Sequence, residues 1–154
     1  MNETNTIIAD FLAQLSAMIE CEFKLDENNR CQFKSGDISF VMDAPSETSK
    51  IYLTAPLISI STLDWSRDEF LKLLTINTDY SMTKGSIIGY DSTFDTLTLT
   101  IIFSSDGLDF TSFYDALTGF ESIITVVKEN IDTLHTTSGN QLTREKNLTH
   151  NIFA

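Results

Sequence analysis

Between Thr4 and Glu20 the apolar residues Ile7, Ile8, Phe11, Leu12, Leu15, Met18 and Ile19 recur at intervals of three and four. That spacing places them on one stripe of an amphipathic helix, with Asp10, Gln14 and Glu20 off it. After the polar link "KLDENNR" the period changes to two. Cys31, Phe33 and Ser35 alternate with Gln32 and Lys34, and Ile38, Phe40 and Met42 alternate with Ser39, Val41 and Asp43. Gly36 and Asp37 supply a short turn between the runs, which predicts an antiparallel hairpin. A third strand is predicted from Lys50 to Ile58, with Ile51, Leu53, Ala55 and Leu57 on one face. Pro56 has no N–H to give a ladder, so it argues for an edge position or for the strand stopping there.

Ser66 followed by Glu69 is a capping-box pattern and predicts a second helix running to about Thr78. Its Phe70, Leu73, Leu74 and Asn77 form one stripe, while Leu71 and Ile76 point elsewhere. Apolar residues therefore spread wider than one buried face needs. Either the helix lies between two layers of its own fold, or its outer face meets a second chain.

Beyond Gly85 a fourth strand is predicted at Ser86 to Tyr90, then a turn in "DSTFD". A fifth follows at Thr96 to Phe103, where Leu97, Leu99, Ile101 and Phe103 alternate with Thr96, Thr98, Thr100 and Ile102. Asp109 caps a third helix whose stripe runs through Phe110, Phe113, Tyr114, Leu117, Phe120, Ile124, Val127, Ile131 and Leu134. Gly119 within it costs about 1 kcal/mol relative to Ala and is read as a mark of close packing on the sheet. From His135 the periodicity lapses, so residues 135–154 are read as a polar, flexible tail behind a domain spanning 1–134. The order helix, three strands, helix, two strands, helix defines an α+β domain: one twisted antiparallel sheet packed by helices.

Composition narrows what such a domain does. A chain of 154 residues with 42% hydrophobic content and eleven Phe can bury a core of its own. Its formal charge of −12 repels phosphate backbones and anionic lipid, so nucleic acid is not an expected partner. Runs such as "LTLTIIF" are too short to span a bilayer, which predicts no membrane insertion. "MNETNTIIADFL" has no basic flank before its apolar residues, so it does not read as a signal peptide, and a cytoplasmic protein is expected.

Candidate chemistry is sparse. The sequence holds no GxGxxG, P-loop, HExxH, GxSxG or CxxC pattern. Cys21 and Cys31 read as reduced thiols, and His135 and His150 stand in the polar tail without the companions a zinc site needs. Asp26/Glu27 and Asp106/Asp109 flank turns or a helix start, where carboxylates accept backbone hydrogen bonds. "DENNRCQFKSGD" lacks the glycine and terminal glutamate of a calcium loop, and the sequons "NET" and "NLT" mean little without secretion. No cofactor, metal or catalytic residue is expected.

The element order, the "LLTIN" that ends the central helix, the following "GSIIGYDSTFDTLTLTIIF", and "NNRCQF" leading to "ISFVMDA" resemble the class I type III secretion chaperones, the Tir-chaperone-like family. The likeness covers about Thr4 to Ile131 and lies in apolar spacing and element order. It implies a bacterial cytoplasmic homodimer that holds an extended, N-proximal segment of a secreted effector, keeping it soluble and secretion-competent without ATP. It places Leu71, Leu74, Thr75 and Thr78 near the two-fold axis. It makes Ile8, Phe11, Leu12, Leu15, Phe33, Phe40 and Met42 the candidates for effector contact, and implies that a segment can add a strand at an exposed edge. Each of these seven also fits an ordinary core position by its period. Two other readings stay open: a binding or regulatory module unconnected with secretion that uses the same fold, and a small enzyme built around Asp91 or Asp95.

Overall fold

The computed structural model describes residues 3–62 and 65–150, with side chains described for 4–61 and 65–134. Helix α1 (Glu3–Ile19) leads into strands β1 (Arg30–Ser35), β2 (Ile38–Asp43) and β3 (Lys50–Ser59), then a 3-10 turn at Ile60–Thr62. Helices α2 (Arg67–Thr78) and α3 (Tyr80–Thr83), strands β4 (Ile87–Asp91) and β5 (Thr96–Ser104), and helix α4 (Phe110–His150) complete the chain. All pairings are antiparallel and the strand order is β1-β2-β3-β5-β4, so β1 and β4 are the two edges.

The hairpin register Phe33↔Phe40 and Cys31↔Met42 places all four side chains on one face of the sheet, where they are buried. Ile51, Leu53, Ala55, Leu97 and Leu99 continue that face across β3 and β5. Against it lie Ile8, Leu12 and Leu15 of α1 and Phe113, Leu117, Phe120, Ile124, Val127 and Ile131 of α4, at the spacing of one helix face. The α4 start is held as expected: Asp109 Oδ1 accepts the Ser112 amide at 2.7 Å and the Asp109 carbonyl accepts that of Phe113 at 3.0 Å. The hydrogen bonds from Ser112 hold the Asp109 carboxyl below the usual carboxylate range.

Three local readings of the sequence are corrected. β3 runs through Pro56 although it is an interior strand. The pairing with β2 ends at Thr54, and the β5 register shifts between Pro56 and Ile58, so the missing N–H falls at an irregularity rather than in a ladder. "DYSMTK" is a helical turn, α3, and not merely a polar link, because Asp79 Oδ1 accepts the Ser81 amide at 2.8 Å. Gly119 marks no close approach, since a Cβ there would meet nothing within 4 Å. The backbone is helical to His150, past the end of the apolar stripe at Leu134. Extending an established helix adds one hydrogen bond per residue and needs no apolar face. The side chains of His135 and His150 lie outside those described, as do residues 151–154.

Candidate functional site

The second helix begins at the predicted box. Glu69 N–H donates to Ser66 Oγ at 3.2 Å, and Ser66 N–H donates to Glu69 Oε2 at 2.6 Å. Because the Glu69 side chain turns back beneath the helix start, it fixes the inner face, and Leu73 and Ile76 follow it at i+4 and i+7. The expected stripe is thereby rephased: Ile76 is buried, while Phe70 and Leu74 join Leu71 outside. Leu71 and Leu74 are 49% and 59% exposed, large fractions for leucines on a 12-residue helix. Thr75 and Thr78 are exposed beside them. Thr75 Oγ1 donates to the Leu71 carbonyl at 3.0 Å and Thr78 Oγ1 to the Thr75 carbonyl at 3.0 Å, so both hydroxyls are engaged by the helix itself. The four residues assigned to a dimer contact thus share an accessible and largely apolar helix face.

Asn77, at the end of the same helix, does something the sequence pattern did not reveal. Its Oδ1 accepts the amide of Ile88 at 2.7 Å. Ile88 pairs with Leu99 inside the sheet, and β4 has no strand on its other side. A side-chain amide therefore occupies an edge donor that would otherwise await another strand.

At the opposite edge there is a groove of about 340 Å³. Phe33 and Phe40 form its floor with ring centroids 5.0 Å apart, and Phe23 stacks on Phe33 at 5.2 Å. Phe40 in turn meets the edge of Phe120 at 5.4 Å, tying the floor to α4. Leu15 and Ile19 of α1 and Tyr114 and Leu117 of α4 form the walls. Phe23 is held there because Ser16 Oγ accepts its amide at 2.8 Å while donating to the Leu12 carbonyl at 2.7 Å. Lys34 and Glu121 stand among the lining residues as its charged members.

Of the seven residues assigned to effector contact, Leu15, Phe33 and Phe40 come together at this groove. Ile8, Leu12 and Met42 do not: each has no accessible surface, because the stripe of α1 and the inner face of β2 close on one another and on α4. Phe11 is half-buried, its ring 5.4 Å from Phe113 and 6.1 Å from Phe110, so it packs the α1–α4 contact. Ile19, Phe23, Tyr114 and Leu117 line the groove without having been singled out. Ile19 and Tyr114 were legible as members of apolar stripes. Phe23 sits in an aperiodic loop and gave no signal.

The remaining polar candidates are engaged in structure. Asp26 Oδ1 accepts the amides of Asn28 and Arg30, and Asp106 Oδ2 accepts the hydroxyls of Ser49 and Ser104. Asp91 Oδ1 accepts the Thr93 amide, and Asp95 accepts Tyr90 Oη–H and the Ser61 amide. Burial pushes the Cys31 thiol up to about 11, so it is protonated and inert at neutral pH. Cys21 is exposed, and neither cysteine is in a disulfide. Among the described residues, no group of His, Cys, Asp or Glu has the geometry to hold a metal ion, and no helix is long and apolar enough to cross a membrane.

The sequence model of the Tir chaperone protein (CesT) family matches residues 10–121, and the chain belongs to that family. It is a family of chaperones. In structure, the chain is similar to one from the HopA1-SchA chaperone-effector complex, at 13% identity and a TM-score of 0.67, covering 84% of this chain and 98% of that one. It is also similar to a chain of the ExsC-ExsE complex, at 16% identity and a TM-score of 0.62, covering 86% and 93%. A third likeness is to a chain of the ExoU-SpcU complex from the type III secretion system of Pseudomonas aeruginosa, at 15% identity and a TM-score of 0.53, covering 82% and 93%. At these identities the likeness establishes the fold. No curated protein matches the chain.

Proposed function

We propose that this chain is a cytoplasmic bacterial chaperone that binds an extended, N-proximal segment of a type III secretion effector. It keeps that segment soluble and secretion-competent without ATP hydrolysis or other catalysis. The observation that carries the reading is the apolar, aromatic-floored groove beside an edge strand, in a member of a chaperone family. Burial of client side chains at about 25 cal/mol per Å² supplies the drive, and an edge strand offers backbone groups to set register. The working unit is the domain 1–134 acting as a homodimer, with residues 135–154 outside it. Leu71, Leu74, Thr75 and Thr78 form the contact between copies.

The test is co-expression with a secreted protein encoded beside it that is insoluble alone. The expected result is a soluble complex in which limited proteolysis leaves one extended client segment protected. Tyr114→Asp, at a groove wall that is 37% exposed, should release the client while the chaperone stays folded. A client that remains bound equally well after this change would remove the groove from the site.

A further inference from the structure

On one face of β1 lie Cys31 and Phe33, which are buried, and on the other Arg30, Gln32 and Lys34, which are exposed. The outward row is unusual for this molecule, which has 10 Lys and Arg against 22 Asp and Glu. The two cations in it are not equivalent. Arg30 Nε donates to Asp43 Oδ2 at 3.1 Å, directly across the hairpin. Lys34 lies across from Ser39 and makes no ion pair among the described residues. β1 has a strand on one side only, so the next neighbour of Lys34 would be supplied by whatever pairs with its open edge.

We infer that this chaperone selects client segments of the pattern apolar, acidic, apolar, with Lys34 reading the acidic residue; this rests on the proposed groove function. A strand laid along β1 alternates its side chains, so inward residues enter the groove over Phe33 and outward ones stand beside Lys34, which is exposed at the groove's border. The inward positions must be apolar. The floor is aromatic, so a carboxylate placed over it would lose its hydration without a partner there. The outward position next to Lys34 favours a carboxylate, because opposite charges directly across a strand pair stabilise it and like charges oppose it. The protein's mean field works the other way, since a chain of charge −12 attracts cationic peptides at long range. A preference for an acidic client residue therefore reports local geometry rather than net charge.

The test uses two blocked nonapeptides in which leucine alternates with threonine, the central threonine being glutamate in one and lysine in the other. Their affinities are read by fluorescence anisotropy at physiological salt. Wild-type protein should favour the glutamate peptide by about threefold, and Lys34→Glu should reverse the order. Tyr114→Asp should weaken both peptides alike. An affinity ratio unchanged by Lys34→Glu, with both peptides still sensitive to Tyr114→Asp, overturns the inference. It leaves the groove reading intact, and Lys34 is then a charge that keeps a bare edge from pairing indiscriminately. Failure of both peptides to bind wild-type protein overturns both readings.

Discussion

The two edges of the sheet are built differently. At β4, Asn77 of α2 occupies the Ile88 amide, and the apolar side chains of that end stand outside the fold: Leu71 and Leu74 on α2, Ile87 and Tyr90 on the strand. At β1, the aromatic side chains are drawn into a concave groove beneath the strand. An edge with a filled donor and a convex helix beside it suits a rigid partner with a surface of its own. An edge above a groove suits a flexible segment that brings both backbone and side chains. Under the proposed assignments, one sheet would separate self-association from client capture. The division also limits the hazard that a protein with two bare edges would polymerise through them.

The largest effect tests the outer side of α2. Leu74→Glu places a charge on a side chain that is 59% exposed in the single chain. The substitution should cost the isolated fold little, yet weaken self-association by about 100-fold or more if that face is buried between copies. Sedimentation at micromolar concentration should show twice the 17.3 kDa chain mass for the wild type and a single-chain mass for the variant. Equal masses for the two proteins would remove α2 from the contact. Next in size is the edge cap. Asn77→Ala leaves the Ile88 amide without its acceptor and should destabilise the fold by about 1–3 kcal/mol in urea titration. Asn77→Asp, which keeps an oxygen acceptor at that position, should recover most of that loss. Amide exchange at Ile88 should accelerate in the alanine variant, while the hairpin pair Phe33 and Phe40 stays protected. Acceleration of both together would mean that the edges are not separable.

Most of the architecture could be read from periodicity, because one buried face per element leaves a regular mark. The stripe of α1, the hairpin turn at Gly36 and Asp37, the capping box at Ser66 and the Asp109 cap each depend on residues close together in the chain. What could not be read depends on partners distant in the chain. The phase of α2 was misjudged because Phe70, Leu71 and Leu74 are as apolar as Leu73 and Ile76; only the inward turn of Glu69 decides which of them are buried. Asn77 looked like a helix terminus, and its bond to Ile88 spans eleven positions across a turn. The site was half legible for the same reason. A period shows that Ile8, Leu12 and Met42 share a face with Leu15, Phe33 and Phe40. It does not show that α4 covers the first three and leaves a groove over the others.

The smallest expected effect concerns the β4–β5 turn, and it follows from the direction of a proton equilibrium. Asp95 Oδ1 accepts the Tyr90 hydroxyl at 2.8 Å and Oδ2 accepts the Ser61 amide at 2.9 Å, clamping the turn to the end of β3. The bonds from Tyr90 and Ser61 hold its carboxyl below the ordinary value of 3.8. The same Tyr90–Asp95 bond raises the phenol, with the charges of Asp95 and Asp91 adding to it. A carboxyl whose folded value is depressed contributes stability above its unfolded value and loses that contribution as pH falls through the folded one. The clamp should therefore be intact at neutral pH and loosen only below about pH 4. Amide exchange at Ser61, corrected for the intrinsic pH dependence, should lose protection on acidification in the wild type. Asp95→Asn keeps an oxygen acceptor but cannot titrate, so it should abolish the pH dependence. An unchanged acid response in that variant would assign the loosening to other carboxylates and leave the β4 end defined by Asn77 and α2 alone.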